Sequence, residues 1–360
     1  MRKSILALSV ASALVLAGCG SSKQELHLFT WTDYVDPEVI EQFEREFDCR
    51  VVIDIFDSNE SMLSKITAGA TGYDVLVPSS YMVEQLAKEG MIEALDKSKL
   101  PNLANIDPAY LRCSLDPEMR YGVPYMVTYT GIAWRDDRLT GDAVPEESWS
   151  VFEREDIAGR ITLLGDMRET LGAALLYKGY KLNSVDEKEL AEARDVVIGW
   201  KKNIAKFENE QYKTGVAGGE FVLVHGYSGD IGQVQLTEEG GTLAPDCNHV
   251  RFFLPKEGFS VSCDELVIPT TAPNKELAYK FLNFMHDADI AARNIEYTTY
   301  WCPNTPAKEL LRQQGSDAVD NPIIFIDEET LSRGQVIGYV GENLKLYTRM
   351  WDQILAAEGK

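Results

Sequence analysis

Histidine and closely spaced cysteine, the usual raw materials of metal and acid–base sites, are scarce in this chain. The four histidines, His27, His225, His249 and His286, show no metal-ligand spacing, and the six cysteines include no C-x₂-C pair, so a zinc centre is not indicated. His27 and His225 fall within strand-like runs and read as structural. No G-x-G-x-x-G turn and no phosphate loop is present, which removes the common nucleotide-binding folds. Cations are also in short supply: 35 Lys and Arg stand against 57 Asp and Glu, a net charge of −22. Nucleic acid is therefore not an expected partner, since binding it rests on cations that neutralise phosphates. There is no low-complexity tract, no solenoid repeat and no second apolar run of membrane-spanning length.

What is present begins with "MRKSILALSVASALVLAGCG". Arg2 and Lys3 precede an apolar run that ends in Leu16-Ala17-Gly18-Cys19, the pattern of an export signal rather than of a fold element. The four-residue sequence resembles a bacterial lipobox, in which Cys19 becomes the lipidated first residue. Residues 1–18 are thus expected to be removed and 19–21 to form an anchor linker. The protein would then sit outside the cytoplasm on a membrane. The remaining 342 of 360 residues suit two domains and carry a charge near −24 once Arg2 and Lys3 are gone. Beyond Cys19 are Cys49, Cys113, Cys247, Cys263 and Cys302. An odd number in an exported chain allows at most two internal disulfides, and the spacing does not choose a pairing.

Strand-like and helix-like patterns alternate along the body. "ELHLFTW" is extended, Asp36-Pro37 reads as an N-cap with proline in the first helical turn, and Val39, Ile40, Phe43 and Phe47 mark one helical face. "VVIDIFD" and "YDVLVPS" predict strands, with helices opening at Ser58-Asn59 and over "YMVEQLAKEG". After an irregular stretch, "RITLLGD", "GEFVLVHGYS" and "DELVIP" predict further strands among more helices, and "GENLKLYTRMWDQILAA" a closing one. This alternation predicts an α/β fold with a mostly parallel sheet.

Ligands in such sheets sit beyond the carboxyl ends of the strands. There the chain places Trp31, Asp33 and Tyr34, then Ser79 and Tyr81, then Asp166 and Glu169, then Tyr227. Aromatic faces attract organic cations and pack against methylene chains, and carboxylates bind ammonium groups through charge-assisted hydrogen bonds. An alkyl polyamine needs both. The same residues have ordinary readings: Asp166 and Glu169 form a D-x-x-E helix start, the aromatics pack cores, Arg168 could neutralise one acid, and Asp264 could merely begin a strand. "HGYSGD" approaches the nucleophile elbow G-x-S-x-G through Gly226 and Ser228, but Asp230 takes the last glycine's place.

The segments "LFTWTDYVDPEVIEQFEREFDCRVVIDIFDSNESMLSKITAG", "YDVLVPSSYMVEQLAKEGMIEALDKSKLPNLANIDP" and "YGVPYMVTYTGIAW" resemble the periplasmic spermidine/putrescine-binding proteins of polyamine ABC importers, and "LLGDMRETLGAALLYKGY" and "LPKEGFSVSCDELVIPTTAPNKELAYKFLNFM" continue the likeness in order. The resemblance implies a two-lobed periplasmic-binding-protein fold of type II, with central sheets flanked by helices and hinge strands crossing between the lobes. It implies a first lobe of residues 22–131 and 264–300 and a second of 132–263 and 301–360, acting as a monomer without cofactor or metal. The implied ligand residues are Trp31, Thr32, Asp33, Tyr34, Ser79, Tyr81, Asp166, Glu169, Tyr227, Asp264 and Tyr300. Asp264 would meet one amine, Asp166 and Glu169 the other, and the aromatics would wall the chain between them. Tyr227 and Ser262 stand where the family's spermidine binders carry tryptophan, which leaves the preferred polyamine open. Competing expectations are the same fold holding another cation or a metal complex, a ligand sensor, and a hydrolase using Ser228 or the Asp166/Glu169 pair.

Overall fold

The computed structural model describes residues 23–235 and 249–358. The leader, Cys19, residues 20–22 and Cys247 lie outside them.

The first half builds β1 (Gln24–Thr30), α1 (Pro37–Phe47), β2 (Cys49–Ile55), α2 (Asn59–Thr67), β3 (Val75–Leu76) and α3 (Ser80–Lys88) in alternation. Asp36 caps α1 by accepting from the Glu38 amide, and Ser58 caps α2 by accepting from the Ser61 amide, so both helices start where the sequence places their caps. Val39, Ile40 and Phe43 form the buried stripe of α1, with Phe43 edge-on to Phe281 and Phe284. Short 3₁₀ turns occupy much of residues 97–113.

The chain then leaves through a long strand, β4 (Gly122–Arg135). A second alternating series follows: β5 (Ile161–Leu163), α4 (Met167–Tyr177), α5 (Glu187–Lys201), β6 (Ile204–Phe207), α6 (Gln211–Ala217), β7 (Leu223–Tyr227) and α7 (Ser228–Gln235). After β8 (Val250–Phe253), the chain returns through β9 (Phe259–Val267) to α8 (Lys275–Met285), α9 (Ala288–Thr298) and α10 (Thr305–Gln314). It ends in α11 (Glu328–Ser332), β10 (Gly334–Val336) and α12 (Leu344–Ala356).

The main ladder runs β2-β1-β3-β9-β4-β7-β5-β6. β1 is parallel to β2 and β3, and β5 is parallel to β6 and β7, as the alternation predicts for each half. The two middle strands differ. β4 and β9 are antiparallel to each other, β9 to β3, and β4 to β7 and β8. The reason is topological: one strand carries the chain from the first half to the second and the other brings it back, so their directions oppose. β4 pairs with β9 over Gly122–Tyr129 and with β7 and β8 beyond it. That change of partner places a crossing inside a single unbroken strand.

α12 packs on α4 and α5 in the second half. α10, however, packs on α9 and buries Ala307 and Leu311 in the core shared with Phe43 and Phe281. The four described cysteines, Cys49, Cys113, Cys263 and Cys302, are buried. They act as small apolar packing groups, and burial pushes the Cys302 thiol up to about 12. His225 is structural but unsatisfied: neither ring nitrogen has a hydrogen-bond partner, and the ring lies edge-on to Trp149. Burial pushes its pKa down to about 3, keeping it neutral.

Because Phe43 is fully buried and packs against three aromatic rings, Phe43→Ala is expected to cost about 3–5 kcal/mol in urea unfolding. Phe47, half-buried on the same helix, should cost clearly less when truncated. Equal losses would show that this stripe does not anchor the first half.

Candidate functional site

A cavity of about 80 Å³ lies between the halves, floored by β4 and β9 and walled by loops from both sides. Ten of the eleven sequence-predicted residues line it: Trp31, Thr32, Tyr34, Ser79, Tyr81, Asp166, Glu169, Tyr227, Asp264 and Tyr300. All but Tyr300, which follows α9, lie at or just beyond a strand end or on a crossing strand.

Asp264 projects from the middle of β9, not from a strand start. Its two oxygens accept from Tyr34 Oη at 2.5 Å and from Ser79 Oγ at 2.6 Å. Ser79 is held in turn by Asn59, whose side chain donates to the Ser79 hydroxyl and accepts from its amide, both at 3.0 Å. Burial raises the Asp264 pKa to about 6 despite these two donors. Tyr34 is itself fixed by ring contacts with Tyr125 and Tyr300. The Trp31 ring packs on Phe56, and its indole N–H donates to the Val77 carbonyl at 2.9 Å. The indole edge is thereby satisfied within the first half.

Across the cavity, Asp166 is both the N-cap of α4, accepting from the Arg168 and Glu169 amides at 2.8 and 3.0 Å, and a wall residue. The capping and lining roles coexist. Burial raises its pKa while those amides pull it down. Glu169 accepts from Thr130 Oγ1 at 2.9 Å and from Ser260. Burial, with the neighbouring charge of Asp166 second, raises it to about 8. Behind Tyr81, which donates to Glu60 at 3.2 Å, burial and Asp166 raise Glu60 to about 7. Arg168 pulls all three acids down through its charge, but less than burial raises them. Its guanidinium donates to the Gly338 carbonyl and to Asn183 and lies over the Tyr347 ring.

Asp33 is the predicted residue that does not line the cavity. Its backbone is left-handed, with φ of 52°, a conformation Asp tolerates better than most residues. The carboxylate points to the mouth and pairs with Lys213 at 2.8 Å. Lys213 also donates to Gln233, and Thr32 donates to Glu210 at 3.4 Å. These contacts join the two halves at the rim.

The cavity also contains residues that the strand-end reading passed over. Asp57 and Asn59 follow β2, so the same rule applied to that strand would have found them. Asp230, in the first turn of α7, accepts from Tyr300 at 2.9 Å and Tyr212 at 2.5 Å. Gly229 makes this possible, because a Cβ there would lie 2.3 Å from the Tyr300 ring. Asn209 and Glu210 lie just beyond β6, a short strand that the sequence pattern does not announce, and Lys213 follows them in the first turn of α6. In all, six carboxylates and two cations line the cavity, and the rest of its wall is aromatic rings, hydroxyls, two amides and Ile337. Ser228, the elbow candidate, is buried and accepts from the Tyr129 amide at 3.3 Å, so its oxygen does not enter the cavity wall.

Known proteins agree with this architecture. The family described as bacterial extracellular solute-binding protein matches residues 38–323. The putrescine-binding periplasmic protein SpuD of Pseudomonas aeruginosa is 32% identical over 98% of this chain and 97% of its own length. The spermidine/putrescine-binding periplasmic protein of Salmonella typhimurium is 32% identical over 99% of each chain. Among solved structures, the TpPotD lipoprotein of Treponema pallidum aligns with a TM-score of 0.79 at 31% identity, over 92% of this chain and 99% of its own. The spermidine/putrescine ABC transporter substrate-binding protein of Streptococcus pneumoniae aligns with a TM-score of 0.75 at 30% identity, over 93% and 99%. A two-lobed α/β fold with an acidic, aromatic cleft at the crossing strands, matched along nearly its whole length, places this chain in the bacterial extracellular solute-binding protein family.

Proposed function

We propose that the protein captures a linear polyamine in this cleft and delivers it to an ABC importer, working as a monomer held to a membrane by a lipid on Cys19. The observation that carries the ligand reading is the pairing of two buried carboxylate groups, Asp264 on one side and Asp166 with Glu169 on the other, across aromatic walls. An ammonium at each end would replace water around these acids, and the rings would cover the methylenes between them. The names of the relatives support the same ligand class. The hinge is proposed to lie where β4 changes partners and where β9 returns, with lobe boundaries near Gly131 and Asp264. The lipid reading rests on Leu16-Ala17-Gly18-Cys19 alone.

Asp264→Asn keeps the shape that Tyr34 and Ser79 grip but removes the charge. Spermidine and putrescine affinities in calorimetry are expected to fall about 10- to 100-fold, with the unfolding midpoint of the ligand-free protein preserved. An unaltered affinity would sink the assignment of Asp264.

The raised carboxyls give a second test. Their folded pKa values, about 6 for Asp264, about 7 for Glu60 and about 8 for Glu169, lie above those of the unfolded chain. The stabilisation they give is therefore complete below the ordinary carboxyl range and is lost as pH rises through roughly 6 to 8. The ligand-free protein should melt at lower temperature at pH 8 than at pH 6. Polyamine binding should strengthen over the same window and release protons. Calorimetry near pH 7 in buffers of different ionisation enthalpy reads the release directly. A heat that does not vary with buffer would contradict it.

For the anchor, cells fed labelled palmitate should label the wild-type protein, and Cys19→Ala should abolish the label and free the protein from the membrane fraction. Labelling that survives the substitution would refute lipidation at Cys19.

A further inference from the structure

Between the two carboxylate groups, the cleft floor carries hydroxyls that neither group uses. Alternate residues of a strand share a face, and on β9 the cleft face reads Ser260, Ser262, Asp264. Ser260 donates to Glu169 at one end, and Asp264 is the other end. On β4, Thr130 also serves Glu169, and Thr128 stands directly across from Ser262 in the register. Thr128 and Ser262 both line the cavity. Thr128 is 6% exposed, and its hydroxyl has no hydrogen-bond partner. A buried hydroxyl left without a partner is costly, and Thr128 lines the cavity where a partner can arrive.

The spacing says what kind of partner. Ser260 and Asp264 are four residues apart, about 13 Å along an extended strand, with Ser262 and Thr128 midway. A four-carbon diamine reaches about half that span, so it cannot meet both ends while extended. A chain that does reach both places its interior over the two hydroxyls. A methylene there would leave Thr128 as it is now. A secondary ammonium has two N–H groups, which match two hydroxyl acceptors, and its charge lies close to the Asp264 carboxylate.

We propose that Thr128 and Ser262 recognise the internal nitrogen of a linear triamine, so that the protein selects spermidine-like ligands over diamines, including diamines of the same length. This rests on the polyamine reading above, and the two can fail separately. Sites built to hydrogen-bond an N–H or O–H discriminate strongly against analogues that lack it.

The test compares three ligands by calorimetry on the intact protein: putrescine, spermidine, and α,ω-diaminooctane, which has spermidine's length with a methylene in place of the internal nitrogen. Wild type is expected to bind spermidine at least ~10-fold tighter than diaminooctane. Thr128→Val keeps the shape and removes the hydroxyl, and Ser262→Ala removes the other. Each should shrink that ratio, and the double variant should bring it near unity. Equal wild-type affinity for spermidine and diaminooctane, or a ratio untouched in the double variant, overturns the inference while the polyamine reading stands. No binding of any of the three ligands overturns both. A melting scan of each variant confirms that it is folded before its ratio is counted.

Discussion

A carboxylate buried on the strand that rejoins the two halves is the constraint around which this molecule is arranged. Asp264 would be costly anywhere else in a core, and here Tyr34 and Ser79 donate to it, with Asn59 fixing Ser79 in turn. That chain of donors comes from the loops after β1, β2 and β3, so the first half is in effect folded around one negative charge. Burial raises the Asp264 pKa to about 6 while these donors pull it down. An ammonium therefore gains an ionised partner without rearranging its supports. Pre-organisation of this sort keeps the cost of binding low, because few side chains have to be ordered when the ligand arrives.

The second half treats its acids differently. Asp166 is anchored by the amides of its own helix, and Glu169 by hydroxyls from both crossing strands. The floor strands thus touch both carboxylate groups: β9 carries Asp264 itself and, through Ser260, steadies Glu169. Arg168, which the sequence places between the acids, is turned toward Asn183 and the Gly338 carbonyl. It braces the end of the chain against α4 and leaves the cavity acidic.

Much of this was legible in the residues. Asp36-Pro37 and Ser58 announce helix starts, and the stripe of Val39, Ile40 and Phe43 announces a buried face; local propensity and tertiary packing agree there. The strand-end rule found Trp31, Tyr34, Ser79, Tyr81 and Asp166 because the carboxyl ends of parallel strands converge by geometry. Strand direction in the middle of the sheet was not legible. Whether β4 runs with or against β7 depends on a return crossing more than a hundred residues later, and no local pattern records it. Asp33 shows a subtler limit, since its position is that of a ligand residue but a left-handed backbone turns its side chain to the rim. Glu210 and Lys213 are missed for another reason: the strand before them, β6, is only four residues long and has no alternating apolar pattern to announce it.

The rim contacts carry a consequence for the working cycle. The Asp33 side of the pair with Lys213 is half exposed to solvent, and an ion pair so placed contributes only about 0–1 kcal/mol. The Thr32–Glu210 contact beside it is long. On the proposed hinge, these two rim contacts add little to the closed state, which leaves the contacts deep in the cleft to decide whether the lobes stay together. A container with a weak clasp and a strong lining holds its cargo firmly yet opens with little work, which is what handing a tightly held solute to another protein requires.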